Sequence, residues 1–169
     1  MYNPRVTETT AAPSTIDILI VGGGAREHAL AWKLAQSPRT GKIYVAPGNA
    51  GTGAFCKNVD IAPTDIPRLV EFAQKNNIGL TVVGPDEPLS LGIVDQFKRT
   101  GLRIFGPTKA AAQIESSKAF AKKLMHEAKI PTAAYEVFTD AAQARSYVEL
   151  APLPVVIKAS GLASGKGVV

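Results

Sequence analysis

The chain has 169 residues, 46% hydrophobic and 20% charged, which is enough apolar material for one core of ordinary size and a remainder. Its net charge of +5 is scattered without a basic run or interleaved aromatics, so no nucleic-acid stripe is expected, and no apolar run reaches the ~18 residues of a membrane helix. A single cysteine, Cys56, excludes an intramolecular disulfide, and with only His28 and His126 a structural zinc site has too few ligands.

Residues 1–15 are rich in Thr, Ala and Pro and lack an apolar h-region, so they read as a disordered lead-in rather than a signal peptide. Together with the lone cysteine this fits a cytoplasmic, reducing setting. Residues 16–21, Ile-Asp-Ile-Leu-Ile-Val, form a β-branched run ending at three glycines, the pattern of a buried strand. Residues 25–36 follow at helical spacing and stop at Ser37-Pro38. Residues 42–45 predict a second strand, ended by the loop Ala46-Pro-Gly-Asn-Ala-Gly-Thr52. Thr64 is the expected cap of a helix to Lys75, 80–83 a third strand, 89–99 a helix closed by Gly101, and 102–105 a fourth strand. Strands and helices alternate through short connections, which predicts an α/β fold with a parallel, doubly wound sheet.

The character changes near Ile114. Ser116-Ser117 can cap a helix to about Ala128, 135–138 reads as a strand, Thr139 caps a helix to Glu149, and 155–157 leads as a buried strand into Lys158. The expected organisation is a lead-in over 1–15, a first domain over 16–112, and a linker helix with the start of a second domain over 113–169.

Four motifs carry chemistry. Gly22-Gly-Gly-Ala-Arg-Glu-His lies on a strand-to-helix turn, where free backbone N–H groups and the helix dipole suit an anion. A dinucleotide fingerprint fails there twice. Its third glycine position is Glu27, and Ala46-Pro47 stands where an acidic residue should meet the ribose. An ordinary tight turn serves the same residues equally well. In the second motif, Gly48, Asn49 and Gly51 let backbone approach a ligand, as they would also suit a surface loop. In the third, Gly84-Pro-Asp-Glu-Pro-Leu, the carboxylates can accept from ribose hydroxyls or simply complement a helix dipole. The fourth is Lys158-Ala-Ser-Gly-Leu-Ala-Ser-Gly-Lys-Gly167. It is one residue short of a Walker A loop and has Gly167 where that loop places Ser or Thr. Two lysines in a loop of three glycines favour phosphate over a plain hairpin.

Taken in order, GGGAREHALAWKLAQS, YVAPGNAGT, VVGPDEPLSLGIVD, FGPTKAAAQIESSKAFAKKLM, KIPTA and VIKASGLASGKGVV resemble the phosphoribosylamine–glycine ligase family over about residues 16–169. The resemblance implies a pre-ATP-grasp domain followed by the start of an ATP-grasp domain. It also implies ATP-dependent ligation of 5-phosphoribosylamine and glycine in purine biosynthesis, through a glycyl phosphate and with Mg2+ or Mn2+. By the same resemblance Gly22, Gly24, Arg26, Glu27, Pro47, Gly48, Asn49, Gly51, Thr52, Gly84, Pro85, Asp86, Pro88 and Leu89 belong to the substrate side. Lys118, Lys158, Gly161, Ser164, Gly165, Lys166 and Gly167 belong to the ATP side. No catalytic residue and no metal ligand is implied within the chain, since the family's acidic ligands are expected beyond residue 169. A non-catalytic fragment is therefore expected, with small-molecule substrates and neither nucleic acid nor membrane as partner. The alternatives are another ATP-grasp ligase and an α/β binding module. The family usually carries Gly at the position of Ala25, Glu at that of Asp86 and Ala at that of Ser164.

Overall fold

A computed structural model describes residues 14–162 and 167–169. Nearly all of the expected lead-in, and Ser164, Gly165 and Lys166 of the closing loop, lie outside the described residues. The chain forms two compact units, one made of residues up to Gly84 plus Phe97–Phe105, the other of Pro85–Gln96 plus Gly106–Val169.

The first unit is a five-stranded, fully parallel sheet in the order β3-β2-β1-β4-β5. Strand β1 spans Ile16–Gly22, β2 Thr40–Pro47, β3 Lys57–Asn58, β4 Leu80–Val83 and β5 Ile104–Phe105. Helix α1, Ala25–Ala35, crosses from β1 to β2, and α3, Ile66–Lys75, returns the chain to β4. β1 is central, and its run from Leu19 to Val21 is completely buried. Ile18, Ile20, Ile43, Val45 and Val82 pack with Ala31 of α1 on one face of the sheet. Burial of such side chains contributes about 1.5–3 kcal/mol each. α3 turns Leu69, Val70 and Ala73 inward, and its Phe72 meets Tyr44 edge-on at 5.3 Å.

Several local expectations change. The loop after β2 contains a four-residue helix, α2 (Ala50–Gly53), and then the short edge strand β3. The cap of α3 is Asp65, whose carboxylate accepts from Arg68 N at 3.3 Å, rather than Thr64. The single helix expected over 89–99 is two, α4 (Asp86–Leu91) and α5 (Ile93–Arg99). Gly92 has φ +91°, a left-handed conformation that ends α4.

The second unit is helical. α4 packs on α6 (Lys109–Ser116), an element absent from the sequence reading, and the Asp95 carboxylate accepts from Lys109 N at 2.7 Å. α7 (Lys118–Glu127) starts at the expected cap Ser117, and α8 (Ala141–Leu150) at Asp140 rather than Thr139. Residues 135–138 are not a strand. Lys122 Nζ donates to Thr132 Oγ1 at 2.7 Å and to Ala133 O at 3.0 Å, so side-chain bonds hold the stretch before them in place of a ladder. The apolar run before Lys158 was expected to be buried, yet Val156 and Ile157 are 60% and 53% exposed. Its described partner is a single antiparallel segment. Ile157 and Val169 exchange both backbone hydrogen bonds, and Ala159 N donates to Gly167 O.

Candidate functional site

A sheet of this order reverses direction between β1 and β4, and ligands bind outside the carboxyl ends of strands at such a switch point. Gly22 ends β1 and Gly84 follows β4, with Gly84 N donating to Val21 O at 3.1 Å. Between them lies Glu27, at the third position of α1 and only 3% exposed. Its Oε2 accepts from Gly24 N at 2.6 Å, which satisfies one of the free donors at the helix start. The surrounding glycines make the space for it. A Cβ on Gly84 would stand 1.8 Å from Glu27 Oε1, and one on Gly22 would stand 2.6 Å from its Cγ. Glu27 thus breaks the dinucleotide pattern for a packing reason.

The loop after β2 is fixed against the first. Asn49 Nδ2 donates to Gly23 O at 3.0 Å, and Gly48 N donates to Gly22 O at 3.2 Å. Asn49 also caps α2: its Oδ1 accepts from Thr52 N at 3.0 Å, while its own N–H donates to Thr52 Oγ1 at 2.8 Å. Thr52 is fully buried, and Gly48 has φ +74°. The side chains of Glu27, Asn49 and Thr52 therefore shape the loops. Gly24 and Arg26, at the exposed start of α1, and Pro47 face outward. A Cβ on Gly51 would overlap the ring of His28, which lies 5.6 Å from that of Phe55. The structure thus brings Gly22, Gly24, Glu27, Gly48, Asn49, Gly51, Thr52 and Gly84 into one connected set.

Pro85, Asp86, Pro88 and Leu89 belong to the second unit. Pro85 caps α4, Asp86 sits in its first turn, and Pro88 and Leu89 are buried. In the same unit Lys118 Nζ donates to Gly161 O at 2.9 Å, joining the start of α7 to the glycine loop. Gly161 has φ +110° with open space around it, and Lys158 is exposed on the strand pair, bridged through its backbone to Val168. Lys158 therefore carries no burial cost. Among the described residues no group of three or more His, Cys, Asp or Glu is placed to hold a metal. Sequence reading missed Asn58, whose amide joins the Asn49–Thr52 pair. Its one signal is a polar residue at the end of a very short strand.

Fold and site together define a parallel α/β domain with a glycine-walled switch point, followed by a second, lysine-bearing region. The chain belongs to the phosphoribosylglycinamide synthetase family. The family's N domain matches residues 16–115, and its ATP-grasp (A) domain matches residues 116–169. The chain is 58% identical over 156 residues to the phosphoribosylamine–glycine ligase of Haemophilus influenzae, with 91% of this chain and 36% of that protein covered. The crystal structure of the Thermotoga maritima phosphoribosylamine–glycine ligase superposes with a TM-score of 0.69 at 31% identity, covering 91% of this chain and 35% of the other. An N5-carboxyaminoimidazole ribonucleotide synthetase from Thermotoga maritima shares the fold, with a TM-score of 0.68 at 20% identity over 92% of this chain and 40% of the other. The chain thus spans about a third of the length of the relatives it matches. Among the described residues no helix is long and apolar enough to cross a membrane.

Proposed function

We propose that this chain supplies the sugar-phosphate side and the first part of the nucleotide side of a cytoplasmic ligase. That enzyme joins 5-phosphoribosylamine to glycine at the expense of ATP. The observation that carries the reading is the glycine-walled switch point. Gly22, Gly24 and Gly84 wall one buried carboxylate, the Asn49 loop is bonded to the same glycine turn, and the N-terminus of α1 is exposed. An exposed helix N-terminus of this kind suits a phosphate monoester. On this reading Gly22, Gly24, Arg26, Pro47, Gly48 and Gly51 of the first unit face the substrate. Lys118, Lys158 and the loop Gly161–Gly167 take the ATP phosphates.

The chemistry asked of these residues is modest. Phosphoryl transfer to a carboxylate needs positioning and charge stabilisation more than covalent catalysis, and lysines on the phosphates provide both. The divalent cation of such a ligase neutralises phosphate charge. Among the described residues there is no group of three or more His, Cys, Asp or Glu to hold it. On this reading the chain itself binds and orients a sugar phosphate and presents three lysines, Lys118, Lys158 and Lys166.

Titration of the 169-residue chain with ribose 5-phosphate, followed by amide chemical shifts, tests the reading. Saturable shifts at Gly23, Gly24, Arg26 and Gly48 are expected, with weak ATP–Mg2+ binding by the same chain. Shifts confined to the Lys158 region, or tight ATP–Mg2+ binding without any at the α1 turn, would overturn it.

A further inference from the structure

We propose that Asn58 is a positioning residue that sets the shape of the sugar-phosphate loop without touching the ligand. The proposal rests on the function proposed above for these loops.

Asn58 is the last residue of β3, a strand only two residues long, and its residue surface is exposed. Yet both ends of its amide are engaged. Nδ2 donates to Asn49 O at 2.7 Å, and Oδ1 accepts from Thr52 Oγ1 at 2.8 Å. The Thr52 hydroxyl also lies 2.9 Å from Asn49 O and accepts from Asn49 N at 2.8 Å. A hydroxyl has one proton to give. Because the Asn58 amide already serves Asn49 O, that proton is free to go to Asn58 Oδ1. Every donor in the ring then has its own acceptor, and the amide orientation is fixed by the network.

The ring acts on the ligand-facing backbone through Gly48 and Asn49. A Cβ on Gly48 would lie 2.2 Å from Asn58 Oδ1, so the amide forms the wall against which the left-handed Gly48 is set. Gly48 N in turn donates to Gly22 O, and Asn49 Nδ2 donates to Gly23 O. Asn58 thus holds Asn49, and Asn49 holds the first glycine turn.

An amide is required because the two faces of the side chain need opposite polarity. Asn58→Ala removes both bonds. Asn58→Asp keeps the acceptor for Thr52 but turns a second oxygen toward Asn49 O, and that clash disappears when the introduced carboxyl is protonated and can donate. Ribose 5-phosphate affinity and the exchange rates of the Asn49 and Thr52 amides would be measured in wild type, N58A and N58D at pH 7.5 and 4.5. Each variant is compared with wild type at the same pH, so that ionisation of the ligand phosphate cancels.

At pH 7.5 both variants should bind about tenfold more weakly and exchange about tenfold faster, the loss expected for a hydrogen bond of this kind. At pH 4.5, where an aspartyl carboxyl of ordinary value about 3.9 is partly protonated, N58D should recover part of its loss while N58A recovers none. N58D tracking N58A at both pH values, or exchange unchanged in both variants, would overturn the proposal. Failure of wild type to bind ribose 5-phosphate would count against the proposed function. The ligand-free exchange rates and their pH reversal would still decide the role of Asn58.

Discussion

In the first unit Leu19, Ile20, Val21 and Val45 are completely buried, while in the second Val156 and Ile157 are more than half exposed and Leu150 and Val169 are 88% and 92% exposed. α8 buries none of its residues, and α6 and α7 each bury only one alanine, Ala112 and Ala121. Both units nevertheless form regular elements. The helices of the second are held by local devices: Thr108 accepts from Ala111 N, Ser117 from Phe120 N and Asp140 from Gln143 N. A capped helix satisfies its own backbone, whereas a strand needs a neighbour before its hydrogen bonds or its apolar face have a partner. Stabilisation is thus local in α6, α7 and α8 and non-local in the sheet, while the large buried apolar residues of the second unit, Leu89, Ile93 and Val94, lie before α6.

The largest expected break in this comparison is Ile20→Ala. It removes a side chain packed among Ile18, Ile43, Val45 and Val82, and should cost about 2–5 kcal/mol in denaturant unfolding. Leu150→Ala, at an exposed site in the second unit, should change stability by less than about 0.5 kcal/mol. A large effect at Leu150 would show that α8 packs through its C-terminal end.

Gly84→Ala should follow, with a loss of about 1–3 kcal/mol, because its Cβ would overlap a buried and hydrogen-bonded Glu27 carboxylate. In a Glu27→Ala background the same substitution should cost much less, since the space is then open. Additive losses in that double-mutant cycle would mean the two residues do not share the site.

A cap in the second unit comes next. Asp140→Ala should fray α8 at a cost of about 1 kcal/mol, read as faster amide exchange over 141–144 with β1 unchanged. An effect of similar size and opposite sign is expected at Thr81, whose Oγ1 is, among the described residues, the buried side-chain atom without a hydrogen-bond partner. Thr81→Val keeps the β-branched shape and removes the unsatisfied hydroxyl, so a gain of about 1 kcal/mol is expected. A loss would show that an ordered water serves that oxygen.

The same contrast explains what could be read from the chain before its structure. β1, α1, β4 and α3 were legible because unbroken apolar runs and helical spacing carry the signal locally. β3 was not, because two residues, Lys57 and Asn58, have no pattern, and only their pairing with Tyr44 and Val45 makes them a strand. α6 was hidden for a different reason. Its sequence, Lys-Ala-Ala-Ala-Gln-Ile-Glu-Ser, has strong helix formers but buries only Ala112, so no apolar stripe marks it. The glycine-rich motifs were visible, and their order resembled one family. The internal employment of Glu27, Asn49 and Thr52 was not visible, since a hydrogen bond over twenty-six positions, such as Asn49 to Gly23, leaves no local trace.

The smallest expected effect lies at Cys56, packed at the edge of the first unit's core beside Ile43 and Val45. Burial disfavours the thiolate and pushes the thiol above its ordinary value. The sign follows from linkage. At neutral pH the thiol is protonated in both folded and unfolded chains and contributes no pH dependence. As pH rises through the thiol range, from about 8.5 upward, the unfolded chain ionises first, and stability falls until the folded thiol ionises as well. Denaturant unfolding at pH 7 and pH 10 should therefore show a larger alkaline loss in wild type than in Cys56→Ala, with lysine and tyrosine ionisation common to both. Identical losses would mean that Cys56 is as well solvated as in the unfolded chain. A reversed order would mean that a cation, Lys42 or Lys57 of the cavity that Cys56 lines, stabilises the thiolate.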